Sequence, residues 1–249
     1  MFAQERHQRI LAALTEHGRV EVAALARELD VSEDTVRRDL KALTGQGFVQ
    51  KTHGGAVLLA TTQIRYPARS AVRPAAKAGL GAAAAALVEP HQTVFIDAGS
   101  TTLELARALD VTPLRVVTNS LDVANVFSDQ AGVELVLSGG EWNPLERHFS
   151  GPGALAQIVQ YRADLAFLGA CAVHPKLGVT ANLAPDAQLK AAMIAHAASA
   201  VLVVDDSKFG QIAPHSVAPL AAFERLITDR APAWLSGEQP LVQVVAGAA

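Results

Sequence analysis

Hydrophobic positions in the first sixty residues recur at helical spacing in three blocks and then switch to strict alternation. Ile10, Leu11 and Leu14 predict a helix over residues 4 to 17, stopped at Gly18. Val22, Leu25, Ala26 and Leu29 share one face of a second helix. Ser32 is a good N-cap, and Glu33 and Asp34 place negative charge in the first turn, so a third helix starts at Glu33. At about 100 degrees per residue, Val36, Leu40 and Leu43 form its inner stripe, while Arg37, Arg38 and Lys41 lie on the outward face. The stretch Gly47 to Leu59 alternates apolar and polar residues around Gly54 and Gly55, which predicts a β-hairpin turning at the glycines.

Residues 60 to 77 lose this periodicity and carry Pro67 and Pro74 with Arg65, Arg69 and Arg73, which reads as a linker. From residue 78 one theme repeats. Apolar strands such as "TVFID", "LRVVT", "VELVL", "DLAFLGA" and "AVLVVD" alternate with helices, including an alanine-rich one to about Leu87 and another from about Ala187 to Ser199. Such alternation predicts an α/β fold with a mainly parallel sheet covered on both faces. The expected division is therefore a domain of three helices and a hairpin at 1–59, a linker at 60–77 and an α/β domain at 78–249.

Three helices and a hairpin make a winged helix-turn-helix, in which the third helix enters the major groove. Charge agrees. Residues 1 to 77 hold 12 Lys/Arg against 8 Asp/Glu, whereas residues 78 to 249 hold 9 against 16, so the basic end is the one suited to an anionic polymer. Lys51, Thr52 and His53 near the hairpin tip can reach phosphate or the minor groove, and His53 equally suits a turn-stabilising role.

In open parallel sheets, ligands bind beyond the carboxyl ends of the strands. Polar loops gather at those ends: "DAGSTT" from Asp97 through Gly99, Ser100 and Thr101 to Thr102, then Thr118-Asn119-Ser120, Ser138-Gly139-Gly140 and Asp205 to Lys208, with Lys190 on a following helix. Glycine and hydroxyl groups at a helix start can hold phosphate, since the first N–H groups there are unpaired and the helix dipole favours an anion. Hydroxyls that merely cap a helix are the bland alternative.

Other chemistry is absent from the pattern. The single Cys171 follows an apolar run and suits a buried small hydrophobe, and the eight His residues show no ligand-like clustering, so neither a metal site nor a cofactor is expected. The N-terminus lacks the apolar core of a secretory signal and no apolar run reaches bilayer length, so a cytoplasmic protein is expected.

The stretch from Glu5 to Leu58, with "S-x-x-T-x-R-R-D-L" and "H-G-G-A", resembles the N-terminal domain of the DeoR family of bacterial transcription regulators. The segments "FIDAGSTTLELARAL", "VVTNSLDVAN", "LSGGEWNP", "LKAAMI" and "DDSKFG" resemble that family's sensor domain, which is similar in fold to ribose phosphate isomerase. The resemblance implies a repressor of a carbohydrate-catabolic operon released by a phosphorylated sugar, acting as a homodimer or homotetramer on operator DNA. It places Ser32, Thr35, Arg37, Arg38, Lys41 and the wing residues on DNA. It places Ser100, Thr101, Thr102 and Lys208 on the phosphate, and Asp97, Asn119, Lys190 and Asp206 around the sugar. Ala76 and Leu183 depart from the family pattern, where acidic residues are common. Two alternatives stand beside this reading: a sugar-phosphate isomerase or transferase with Lys190 or an Asp as acid-base group, and a DNA-binding regulator with a silent pocket.

Overall fold

In the computed structural model the described residues are 2–45, 49–58, 66, 69, 72–235 and 240–245. Most of the expected linker, with Arg65 and Pro67, and the hairpin's first residue Gly47 lie outside them. The chain divides into two compact units, Met1–Val72 and Arg73–Ala249.

In the first unit, α1 (Ala3–His17), β1 (Arg19–Glu21), α2 (Val22–Glu28) and α3 (Glu33–Gly45) precede the hairpin strands β2 (Val49–Thr52) and β3 (Gly55–Leu58). Ile10, Leu14, Leu25, Val36, Leu40 and Leu43 meet in one core, as the helical spacing requires. The "RRDL" run also contributes a buried charge. Asp39 accepts hydrogen bonds from Arg6 Nε at 2.7 Å, Arg6 Nη2 at 3.1 Å and His7 Nε2 at 3.1 Å, which pins α1 to α3. Burial alone would lift the Asp39 carboxyl, but these bonds outweigh it and hold it below the ordinary carboxylate range.

The hairpin differs by one residue from the sequence expectation. Thr52 pairs with Gly55, so the turn is His53-Gly54 and Gly55 is the first residue of β3. The reason is a third strand that the sequence reading lacked. β1 pairs antiparallel with β3, placing Glu21 opposite Gly55, and a Cβ at Gly55 would stand 2.0 Å from the Val20 carbonyl oxygen.

The second unit begins with α4 (Pro74–Ala85) and continues through β4 (Thr93–Ile96), α5 (Ser100–Ala108), β5 (Leu114–Thr118), α6 (Leu121–Phe127) and β6 (Val133–Leu137). A hairpin of β7 (Glu141–Asn143) and β8 (His148–Ser150) leads into α7 (Gly151–Ile158) and β9 (Ala163–Leu168). Next come β10 (Ala172–His174), β11 (Gly178–Ala181), α8 (Ala184–Ala195), β12 (Ala197–Val203), a 3-10 turn at Asp206–Lys208, β13 (His215–Ala218), β14 (Arg225–Thr228) and β15 (Leu241–Val244). Ala197 to Ser199, expected to end a helix, instead pair with β9 as the start of β12, because strand pairing overrides the helix propensity of alanine.

Seven strands form one parallel sheet in the order β15-β14-β12-β9-β4-β5-β6. Alternate side chains feed two cores. Val94 and Ile96 face Leu80, Leu105 and Phe127, while Phe95 faces the cluster of Ile158, Leu189 and Met193. Gly81 lets α4 approach α5 closely, since a Cβ there would lie 2.5 Å from the Glu104 carbonyl carbon. Strand order runs outward from β4 through β5 to β6, then jumps back to β9 on the other flank of β4. The crevice beyond the carboxyl ends of β4 and β9 is therefore the topological switch point, where ligands bind in such sheets.

Gly55→Ala is expected to cost the first unit at least about 2 kcal/mol, because backbone of β1 blocks the added methyl. An unchanged midpoint in urea unfolding of the variant would contradict the register of β1 on β3.

Candidate functional sites

The third helix opens with a local lock. The Thr35 amide donates to Ser32 Oγ at 3.2 Å and the two hydroxyls lie 2.9 Å apart, so the "S-x-x-T" pair caps α3. Arg37, Arg38 and Lys41 are all exposed, as their angular position demands. They are not equivalent. Arg37 is held by Glu33 at 2.5 Å and Asp34 at 3.0 Å on its own helix, whereas Arg38 and Lys41 make no hydrogen bond or ion pair among the described residues. Lys51, Thr52 and His53 are likewise exposed on the wing. Exposed helix pairs of the Arg37 kind contribute about 0.3–0.5 kcal/mol, so Arg37 can leave its acids at small cost.

In the second unit, the residues after β4, β5, β6, β9, β12 and β14 all leave the same edge of the parallel sheet. Asp97 follows β4. It is fully buried, its amide donates to the Phe167 carbonyl at 3.0 Å, and its Oδ2 accepts from the Gly169 amide at 3.2 Å and from Lys190 Nζ. Lys190, on α8, also stands 3.4 Å from Asp186 Oδ1, one helical turn earlier. The sequence reading named Asp97 and Lys190 but missed Asp186, whose signal was its i, i+4 spacing from Lys190. His148, from β8, lies 4.0 Å from the same carboxylate.

One ammonium facing two carboxylates leaves this buried cluster with a surplus negative charge. Burial raises the Asp97 carboxyl to about 6, with Lys190 opposing and Asp186 reinforcing the rise. Burial would lower the Lys190 ammonium, but the carboxylates of Asp186 and Asp97 reverse that and keep it charged. Asp97 Oδ1 and Asp186 Oδ1 are buried and accept no hydrogen bond. An unsatisfied buried acceptor costs about 1–3 kcal/mol, more when charged, so both oxygens are suited to a donor from outside the protein.

Around this cluster several predicted site residues serve the scaffold. Thr118 Oγ1 donates to the Ile96 carbonyl at 2.6 Å, Ser120 Oγ caps α6 by accepting from the Val123 amide at 3.2 Å, and Asn119 Oδ1 accepts from the Ala98 amide at 2.9 Å. Thr102 Oγ1 donates to the Gly99 carbonyl at 3.0 Å. Gly140 is required by packing, since a Cβ there would stand 2.6 Å from the Ser150 carbonyl oxygen, while a Cβ at Gly139 meets nothing. Ser100 and Thr101, buried in the first turn of α5, form no hydrogen bond through their hydroxyls among the described residues. They differ in this from Thr102.

The turn after β12 carries a second ionic cluster. Asp205 Oδ1 accepts from the Ser207 amide at 3.1 Å and from the Ser207 hydroxyl. Burial pushes the Asp205 carboxyl up, yet Lys208, Ser207, Lys77 and Arg73 together hold it below its ordinary value. The Asp206 carboxylate, expected near a sugar, is engaged by Arg73, whose other nitrogen lies 2.9 Å from Asp229 Oδ2. Lys77 and Lys208 are both buried beside these acids. Arg73, Lys77 and Asp229 were not legible as members of this edge, because only the folded chain brings α4 to the ends of β12 and β14. Among the described residues, no group of His, Cys, Asp and Glu could hold a metal ion, and no helix is long and apolar enough to cross a membrane.

Comparison with known proteins places both units. Residues 6–62 match a family model described as the DeoR-like helix-turn-helix domain, and residues 72–230 match the DeoR C terminal sensor domain. The chain is 32% identical to the HTH-type transcriptional repressor GlcR of Bacillus subtilis (strain 168), over 93% of this chain and 90% of that protein. It is 32% identical to the putative aga operon transcriptional repressor of Escherichia coli O157:H7, covering 90% of this chain and 86% of the relative. The glycerol-3-phosphate regulon repressor of Escherichia coli (strain K12) is 30% identical, with 92% and 91% covered. A solved structure of ribose 5-phosphate isomerase A from Methanocaldococcus jannaschii is similar over 53% of each chain, at 20% identity and a TM-score of 0.39.

The raised Asp97 carboxyl has a signed consequence. Its folded value, about 6, lies above that of the unfolded chain, so the stabilising contribution is complete below about pH 4 and is lost as pH rises through 6. Thermal melting of the parent should therefore fall relative to Asp97→Asn as pH is raised across that window. Parallel pH profiles for the two proteins would contradict the burial of this carboxylate in a cluster with surplus negative charge.

Proposed function

The chain belongs to the DeoR family of transcription regulators, and from that premise we propose that it represses a carbohydrate-use operon and leaves its operator when a phosphorylated sugar occupies the sensor unit. The observation that carries the sensing half is the pair of buried, unsatisfied carboxylate oxygens at the switch point of the sheet. Those oxygens accept donors, so they suit sugar hydroxyls and repel phosphate. The anionic end of the ligand belongs elsewhere on the same edge, where Ser100 and Thr101 offer hydroxyls at the start of α5 and Lys208 offers a cation. Asn119 and Lys190 hold the walls between these ends, and Gly99, Gly139 and Gly140 shape the loops. Relatives whose names refer to the glycerol-3-phosphate regulon and the aga operon support a small phosphorylated polyol or sugar as the ligand class.

On the DNA side, Arg38 and Lys41 are the groups we assign to the major groove, with Lys51, Thr52 and His53 on the flanking backbone and Ser32 and Thr35 fixing the start of the reading helix. Half-sites on an operator call for at least a dimer, so the repressor acts as a homo-oligomer. We read its work as binding in the cytoplasm, not turnover, because the relatives it resembles are named as transcriptional repressors.

Two outcomes test this reading. Binding to the protein's own upstream duplex, followed by fluorescence anisotropy, should weaken more for Arg38→Ala than for Arg37→Ala. A lost base contact costs about 1–3 kcal/mol. Equal losses would remove the distinction between the two arginines. For sensing, Lys208→Ala should retain the parent's DNA affinity while losing its response to sugar phosphates such as glucose 6-phosphate, fructose 1-phosphate and glycerol 3-phosphate. A response at unchanged concentration would remove Lys208 from the phosphate site.

A further inference from the structure

Val72 and Arg73 are consecutive residues anchored in different units. Val72 is buried in the hydrophobic core of the DNA-binding unit with Leu14, Val36 and Leu40. Arg73 opens the sensor unit, where its guanidinium engages Asp206 and Asp229. One peptide bond separates the two anchors. Arg73 also holds a left-handed backbone conformation, φ 54°, directly before Pro74. Such a conformation is uncommon for a non-glycine residue, and here it coincides with a side chain held by two carboxylates.

The carboxylates are not arbitrary partners. Asp206 lies on the same 3-10 turn as Lys208, and the Asp206 amide donates to Asp229 Oδ1 at 2.8 Å, so the turn after β12 and the end of β14 are tied together under the guanidinium. Lys77, one turn along α4 from Arg73, acts on Asp205 of the same turn. Three cations, Arg73, Lys77 and Lys208, thus balance three carboxylates, Asp205, Asp206 and Asp229. An anion arriving beside Lys208 tips this balance and changes how firmly the carboxylates hold Arg73.

We propose that Arg73 is the positioning residue that couples the sensor edge to the DNA-binding unit, acting through the Asp206–Asp229 clamp rather than by touching ligand or DNA. The inference rests on the reading of Lys208 as the phosphate-binding group. Coupling free energies are reciprocal, so a clamp that carries ligand occupancy to the DNA-binding unit must also carry DNA occupancy to the clamp. That reciprocity allows a test in which the identity of the sugar plays no part.

The probe is a duplex of the protein's own upstream region, added to the full chain, with amide hydrogen exchange followed across residues 205 to 208. In the parent, DNA should change exchange at this turn by about fivefold or more, the lower end of ordinary allosteric coupling. Arg73→Ala should bind the duplex within about twofold of the parent and lose the exchange response, a split that a merely structural role would not produce. Asp229→Asn provides an independent arm. It removes the charge facing Arg73 while leaving Asp206 and Lys208 in place, and it should lose the response in the same way if Arg73→Ala does not fold. Arg73→Lys, which keeps a cation in the clamp, should restore part of it. A turn that ignores DNA in the parent, or that responds equally in Arg73→Ala and Asp229→Asn, overturns the inference while leaving the DNA-binding reading intact. Failure of the parent to bind its duplex at all takes both down together.

Discussion

A carboxylate buried at the end of an inner strand must be neutralised from within, and the sensor unit is organised around that requirement. Asp97 leaves β4 at the point where the strand order reverses, with its amide and one carboxylate oxygen pinned to the backbone that leaves β9. Lys190 reaches it from α8, and Asp186 follows Lys190 into the same interior. Burying ions costs several kcal/mol each in real proteins, and removing one member of a pair costs about 3–5 kcal/mol. Such a cluster is therefore poor ballast for stability. In the proposed reading, the two oxygens of the cluster that accept no hydrogen bond, Asp97 Oδ1 and Asp186 Oδ1, take hydroxyl donors from a ligand.

The same economy appears in the DNA-binding unit, where the only buried carboxylate given by the described core, Asp39, is fully matched by Arg6 and His7. Here the ions serve architecture. They fix α1 against α3 and leave the outward face of α3 to Arg38 and Lys41. The contrast between a carboxylate with both oxygens bonded and two that each keep one oxygen without a hydrogen bond is what the proposed sugar site rests on.

Much of the fold was legible from periodicity. The spacing of Ile10 and Leu14, and of Val36, Leu40 and Leu43, gave α1 and α3, and the apolar runs around Phe95, Val117 and Phe167 gave the inner strands of a parallel sheet. What failed to show were elements defined by partners distant in sequence. Strand β1 is three residues long and exists because β3 lies beside it, which moved the hairpin turn to His53-Gly54. Ala197 to Ser199 read as helix because alanine favours it, and pairing with β9 made them strand. At the sensor edge, "DAGSTT", Asn119, Lys190 and Lys208 could be picked out as polar residues after apolar strands. Which of them face one another could not. Asp186 carried one local signal, its i, i+4 spacing from Lys190, whereas Lys77, Arg73 and Asp229 join the edge only through charges more than 100 residues away in sequence, which no local pattern encodes.

A regulator of this design stands or falls on selective, ligand-sensitive binding to DNA. The most direct measurement is equilibrium anisotropy of the full chain on its own upstream duplex and on random duplex at physiological ionic strength, each with and without sugar phosphates. The account predicts a preference for the upstream duplex of about a thousandfold or more, lost or reduced when one of the sugar phosphates is present. Equal affinity for both duplexes in every ligand state would contradict it.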